Sequence, residues 1–376
     1  MAKKSSYDPT FRCGRRCNGS LYTVNHLDTS NLFHKSSAAA RKNGNKQTKD
    51  EIPKLQRLPA PSFNFQPFRS NYYESIRGAD LFAPFGKEGM ILCCDGVGQT
   101  AVYDPRLHAA QIMPMMQAPK GYMTIAFPVA RTEAHATSAA ACDPDSSVNS
   151  ESFIYRWVEG DHFESLYILD MAPRCPFFFE RLSFSSKGWR WCALPPPPFL
   201  LDPRYKPRRD SCAAVNGTTI FMSPSTQEEV IGTYCFNTVT HEWFKAGDWV
   251  LPFLGRAEFV PELGHWFGLS HCSPNHFCAV SSLDPPEVKA SWSDLDPPEG
   301  WSLRDLYLVN LGSGRFCTAK FFDARDPSSD DAVINTVAVL TGVEVVSCAN
   351  QLGGLGFEML KHKSKCVTNL DIKCVL

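Results

Sequence analysis

From Leu58 onward, short β-branched and aromatic runs alternate with clusters of Gly, Pro, Asn and Asp, and no apolar period of 3.6 persists for three turns. This alternation predicts strands and almost no helix. The clearest predicted strands cover residues 89–94, 100–103, 123–127, 152–157, 165–169, 189–191, 218–222 and 233–236. Residues 277–280, 306–309, 333–339 and 342–346 close the series. The run Pro195-Pro196-Pro197-Pro198 can only be an extended connector, because each ring removes a ladder donor.

A degenerate repeat emerges when segments are stacked on an apolar residue followed by a polar turn and a second large residue. Phe184 to Trp191, Phe236 to Trp243 and Val309 to Phe316 share this seven-residue step, and Tyr103-Asp104-Pro105 fits it more weakly, reaching Ala110. Phe184 and Phe236 lie 52 residues apart, close to the ~50-residue period of kelch blades. The expected fold is therefore all-β, a kelch-like β-propeller of unspecified blade number, in which repeated four-stranded sheets shield one another's edges.

Residues 1–57 follow a different grammar and are expected to form a basic, partly disordered arm and linker. The first 50 residues hold 10 Lys/Arg against 3 Asp/Glu. Residues 35–58 read as a linker with a short helical piece near Ala38, and residues 19–24 as a strand that could complete a blade of the domain spanning 58–376.

Over the whole chain, 38 basic and 39 acidic side chains give a net charge of −1, which excludes a global pull toward nucleic acid or anionic membrane. No stretch approaches the ~18 uninterrupted apolar residues of a membrane helix, and the start lacks the apolar segment of a secretory signal. A soluble protein of the cytoplasm or nucleus is expected. Fifteen cysteines without regular spacing then read as reduced thiols, and the sequons at Asn18 and Asn216 as turns.

Candidate chemistry fails on context. Gly96-Val97-Gly98-Gln99-Thr100-Ala101 matches a dinucleotide-binding turn, but the helix it requires is replaced by Val102-Tyr103-Asp104-Pro105, so a hairpin is expected. His241-Glu242 begins a zinc-protease motif that Lys245 ends. His265, His271, Cys272, His276 and Cys278 carry zinc-binding chemistry without the spacing of a finger, and read as packed or surface residues. Cys93-Cys94 reads as buried core, Ser313 lacks the G-x-S-x-G frame, and Asp143 with Asp145, like Asp330 with Asp331, reads as a solvated loop. No catalytic residue, metal or cofactor is expected.

Trp191-Cys192-Ala193-Leu194-Pro195, Val215-Asn216-Gly217-Thr218, Gly232-Thr233-Tyr234-Cys235-Phe236 through Glu242-Trp243, Gly247-Asp248-Trp249-Val250-Leu251-Pro252-Phe253 and Leu308-Val309-Asn310-Leu311-Gly312-Ser313-Gly314-Arg315-Phe316-Cys317 carry a resemblance. The chain resembles a grass-expanded plant family defined by a domain of unknown function and related to F-box-associated, kelch-like propellers. The resemblance implies a propeller-like fold and no established activity. Relatives with an F-box act as substrate receptors of ubiquitin ligases; no leucine- and proline-marked helical segment of that kind precedes the propeller here, which counts against that role.

The expected function is a non-enzymatic interaction module that binds a protein partner through loops at one end of the propeller. Arg204, Tyr205, Lys206, Arg208 and Arg209 form the sharpest basic patch in the body of the chain and are the candidate contacts. Two other readings remain open: an enzyme with a site in the central channel, and a divergent member that keeps the fold without activity.

Overall fold

Chain reversals fall where the sequence supplies residues that tolerate left-handed backbone. In the computed structural model of the protein, Asn216 and Gly217 (φ 50° and 68°) make one hairpin turn, and Ser313 with Gly314 (53° and 70°) makes another. The Asn216 sequon is thus a turn, as expected. The structure describes residues 2–5, 21–44, 52–54, 58–68, 78–86, 89–130, 132, 134–135, 164–172, 178–185, 188–207, 210–224, 230–325, 334–349, 355–368 and 372–376.

Internal contacts divide the chain into two units, Met1–Gln66 with Arg256–Leu376, and Pro67–Gly255. The first unit opens with β1 (Ala2–Ser5), β2 (Leu21–Asn25) and β3 (Pro61–Phe65). Between β2 and β3, Ser36 caps α1 (Ser37–Asn43) by accepting from the Ala39 amide. The second unit holds β4 (Leu81–Pro84), β5 (Ile91–Cys94), β6 (Thr100–Asp104) and β7 (Ala109–Met113). It continues with β8 (Thr124–Ala130), β9 (Glu164–Asp170), β10 (Phe179–Ser185) and β11 (Gly188–Ala193). Its last four strands are β12 (Ser211–Val215), β13 (Thr219–Ser223), β14 (Thr233–Asn237) and β15 (Trp243–Gly247).

Back in the first unit come β16 (Arg256–Val260), β17 (His265–Leu269), β18 (Phe277–Leu283) and β19 (Pro286–Trp292). The long strands β20 (Trp301–Gly312), β21 (Arg315–Arg325), β22 (Ile334–Ala349) and β23 (Leu355–Thr368) follow, and β24 (Ile372–Cys374) ends the chain. Each of these groups of four consecutive strands runs as antiparallel neighbours, and β24 joins the N-terminal strands in the order β24-β1-β2-β3. Each unit is therefore built from four-strand, up-and-down antiparallel runs, and the fold class is the all-β, propeller-like one expected.

The packing explains why period-2 signals are strong in some strands and lost in others. In β9, Leu166 and Ile168 enter a core with Ala83, Leu92 and Leu182, while Tyr167 and Leu169 enter another with Phe127, Phe179, Ile220 and Phe236. A strand buried on both faces reads as a continuous apolar run. The edge strand β7 is the exposed one of its sheet: all of it except Met113 faces solvent.

Two expectations need correction. Residues 334–339 and 342–346 belong to one strand, β22, because Gly342 does not turn the chain. Its missing Cβ makes room for the Leu32 carbonyl, which an added Cβ would meet at 2.6 Å, while Gly342 itself pairs with Cys317. The seven-residue step is not one repeat either. Phe236 does pair with Trp243 and Tyr103 with Ala110, across third and fourth strands, but Phe184 pairs with Trp189, and Val309 to Phe316 spans a first-to-second hairpin. The strand expected at 152–157 lies outside the described residues.

Candidate functional site

In the Pro67–Gly255 unit the register brings the pairs Leu81↔Cys94, Thr100↔Met113, Thr124↔Asp170, Glu180↔Ala193, Ser211↔Ser223 and Thr233↔Gly247 to the same end of their sheets. The connectors that carry the chain from one sheet to the next, residues 114–123 and 194–210, therefore emerge there, together with the 95–99 turn. Hydrogen bonds fasten the 114–123 connector to the segments around it. The Ala79 amide donates to Lys120 O (2.7 Å), the Met171 amide to Met123 O (3.0 Å) and Gln117 Nε2 to Trp191 O (3.3 Å).

Beneath this end lies a frame of buried charge. Lys120 and Glu180, 1% and 0% exposed, form an ion pair, and Lys120 Nζ also donates to Ala118 O (2.9 Å). Glu180 Oε1 accepts from the Gln117 amide (2.9 Å), Asp170 from the Gly121 and Ala172 amides (2.6 and 3.0 Å), and Asp80 from the Gly96 amide (2.9 Å). Asp95 accepts from the amides of Val97, Gln99 and Phe68. Carboxylates spent on backbone N–H groups shape loops, because each bond satisfies a donor that a turn leaves without a strand partner. The dinucleotide-like Gly96–Ala101 motif is the β5–β6 hairpin turn so held, with Gly98 at φ 94°.

The basic patch behaves differently from its composition. Arg204 folds back on Asp202 through Nε–Oδ1 (2.9 Å) and Nη2–Oδ2 (2.6 Å), which holds the Asp202 carboxyl down at about 2. Tyr205 is half-buried: its ring packs on Phe199 (5.3 Å) and its hydroxyl donates to Asp210 (2.9 Å), 3.1 Å from Met171 O. Burial, with Asp210 nearby, pushes this phenol up. Tyr205 is thus an anchor of the loop, whereas Lys206 is exposed. Arg208 and Arg209 lie outside the described residues.

What the sequence reading missed is apolar. Tyr122 (82% exposed) and Leu201 (79%) stand out from the two connectors, with Met115, Met123, Phe68 and Val230 also exposed near the same end. Met123 had read as part of a strand, and no reading was attached to Leu201. The only sequence signal was their place beside Gly121 and the proline run, where neither strand period nor helix period applies.

Cys94 and Cys93 are buried, and burial raises the Cys94 thiol. His265 donates to Leu263 O (2.8 Å) with its ring against Phe357, His271 and Cys272 are exposed neighbours, and burial pushes the Cys278 thiol up to about 12. No three His, Cys, Asp or Glu side chains among the described residues are placed to share a metal ion. Asp143, Asp145, Asp330 and Asp331 lie outside those residues. No helix among them is long and apolar enough to cross a membrane.

Sheets of this pattern define a propeller-like all-β protein. The chain belongs to the family described as Protein of unknown function (DUF1668), whose model matches residues 13–367. No curated protein is similar enough to the chain to count as a relative.

Proposed function

We propose that the protein is a non-enzymatic interaction module: a kelch-like propeller, related to the F-box-associated proteins of plants, that works in the cytoplasm or nucleus and binds a protein partner through the connector end of the Pro67–Gly255 unit. The observation that carries this reading is the exposure of two bulky apolar side chains on anchored connectors: Tyr122 on the one held by the buried Lys120–Glu180 pair and Asp170, and Leu201 on the one tied down by Tyr205. Exposed aromatic and aliphatic side chains on a rigid support anchor a partner at small entropic cost, because the loops need no ordering on binding. Lys206 adds a cation that steers approach and fixes register.

The test compares two sets of substitutions in affinity capture from cell extract. Tyr122→Ser with Leu201→Ser is expected to lower partner capture at least about tenfold without changing the melting temperature. Alanine at Arg204, Lys206, Arg208 and Arg209 is expected to weaken capture mainly at low salt. Capture equal to wild type by both variants would sink the reading.

A further inference from the structure

In the same unit, Arg181 on β10, next to Glu180 in the chain, reaches His241 in the β14–β15 turn. Arg181 Nη1 donates to His241 Nε2 at 2.9 Å. A guanidinium can only donate, so Nε2 carries no proton and His241 is the neutral Nδ1–H tautomer. Burial, then the Arg181 charge, then His135 push its pKa down to about 4. The His241 backbone is left-handed (φ 60°), and its ring lies parallel to Phe236. The neighbouring His135 is itself neutral on one side: Nδ1 accepts from the Thr132 amide (3.1 Å), so Nε2–H donates to Thr238 Oγ1 (3.0 Å).

The Arg181 side chain is anomalous in this surrounding. Its Nε is buried without a hydrogen-bond partner, the one such side-chain atom among the described residues. Arg41, Arg106 and Arg204 each close the Nε–Nη2 edge on a carboxylate, of Glu358, Asp104 and Asp202 respectively. Arg181 closes that edge on no carboxylate among the described residues, and its neutral imidazole partner meets Nη1 instead. An Nε–H removed from water and left without an acceptor is costly, and an anion is what relieves it.

We propose that Arg181 and His241 form a binding site for a carboxylate, taken side-on by the Nε–Nη2 edge of Arg181 after a small rotation about the Cδ–Nε bond uncovers Nε. The carboxylate then offsets the Arg181 charge at the imidazole, and His241 becomes easier to protonate and can donate to the ligand. The two oxygens of a planar carboxylate match that edge, as the three arginines above demonstrate. Its two residues are not among the exposed connector residues Tyr122 and Leu201, and the site does not depend on them.

The experiment titrates full-length, isotope-labelled protein with sodium succinate, with a blocked peptide carrying one aspartate, and with sodium chloride at matched ionic strength. The readouts are the Arg181 Nε–H signal, the His241 ring signals and the melting temperature. Saturable shifts with succinate or the peptide, absent with chloride, and a His241 pKa raised on binding are expected. Saturation by succinate identifies a free acid as sufficient, and saturation by the peptide alone identifies an acidic side chain of a partner. Arg181→Gln keeps a donor for His241 and should abolish the response, whereas Arg181→Lys should weaken it at least about tenfold. Shifts that do not saturate, that chloride reproduces, or that persist in Arg181→Gln overturn the assignment. Should Arg181→Gln not fold, the succinate and chloride titrations of the unsubstituted protein still decide.

Discussion

Replacing Glu180 with Gln isolates the charge of the buried frame from its shape. Gln keeps an Oε1 acceptor for the Gln117 amide, and only the counter-charge of Lys120 is lost. Because the two side chains are 0% and 1% exposed, water cannot take over that role. Removing one member of a buried pair costs about 3–5 kcal/mol, and at about 2–4 °C per kcal/mol for a unit of this size the melting temperature should fall by roughly 6–20 °C. Differential scanning calorimetry reads the shift directly. The double replacement Lys120→Met with Glu180→Leu should recover most of it, since an apolar pair of similar volume carries no uncompensated charge. A Glu180→Gln variant within about 1 kcal/mol of wild type would refute the view that this pair fastens the connectors.

Three further outcomes follow from the same geometry. The folded pKa of His241, at about 4, lies below the 6.5 of a free histidine, so the unfolded chain binds the extra proton between these values. Stability is full above pH 6.5 and falls as pH drops toward 4, with His34 and His362 acting in the same direction; His241→Gln should flatten the slope in urea melts at pH 7, 6 and 5, and an unchanged slope would reject its source. Gly232→Ala should destabilise by at least about 1–2 kcal/mol, because φ is 99° and the new Cβ would sit 2.4 Å from Gly247 O; wild-type melting would contradict this. Iodoacetamide at pH 8 should label exposed Cys272 well before Cys278 and Cys317, whose thiols burial holds up at about 12; equal labelling by peptide mass mapping would be inconsistent with that burial.

Fold class was legible because turns and doubly buried strands leave local marks. Asn216-Gly217 announces a hairpin, and the apolar run of β9 announces burial on both faces. The strand β23 left no such mark: Lys361-His362-Lys363-Ser364-Lys365 alternates, but its buried face is His362, Ser364 and Cys366, polar residues satisfied by Glu344, Thr341 and the Ile52 carbonyl. Long-range partners of that kind are invisible along the chain. The connector end was hidden for the same reason. Lys120, Asp170 and Glu180 look like scattered surface charges until the register places them together, and Tyr205 reads as a contact residue until its hydroxyl is seen to reach Asp210. Tyr122 and Leu201 carry no local mark of exposure, and only the fold shows them facing solvent.

The central claim is that the connector end of the Pro67–Gly255 unit is the surface on which a partner docks. Hydrogen exchange on the captured complex, compared with the free protein, measures this directly. The account expects new protection in residues 114–123 and 194–207 on binding, with the turns at residues 105–108 and 238–242 at the opposite end unchanged. Protection confined to those opposite turns, with the connectors exchanging as in the free protein, would contradict it.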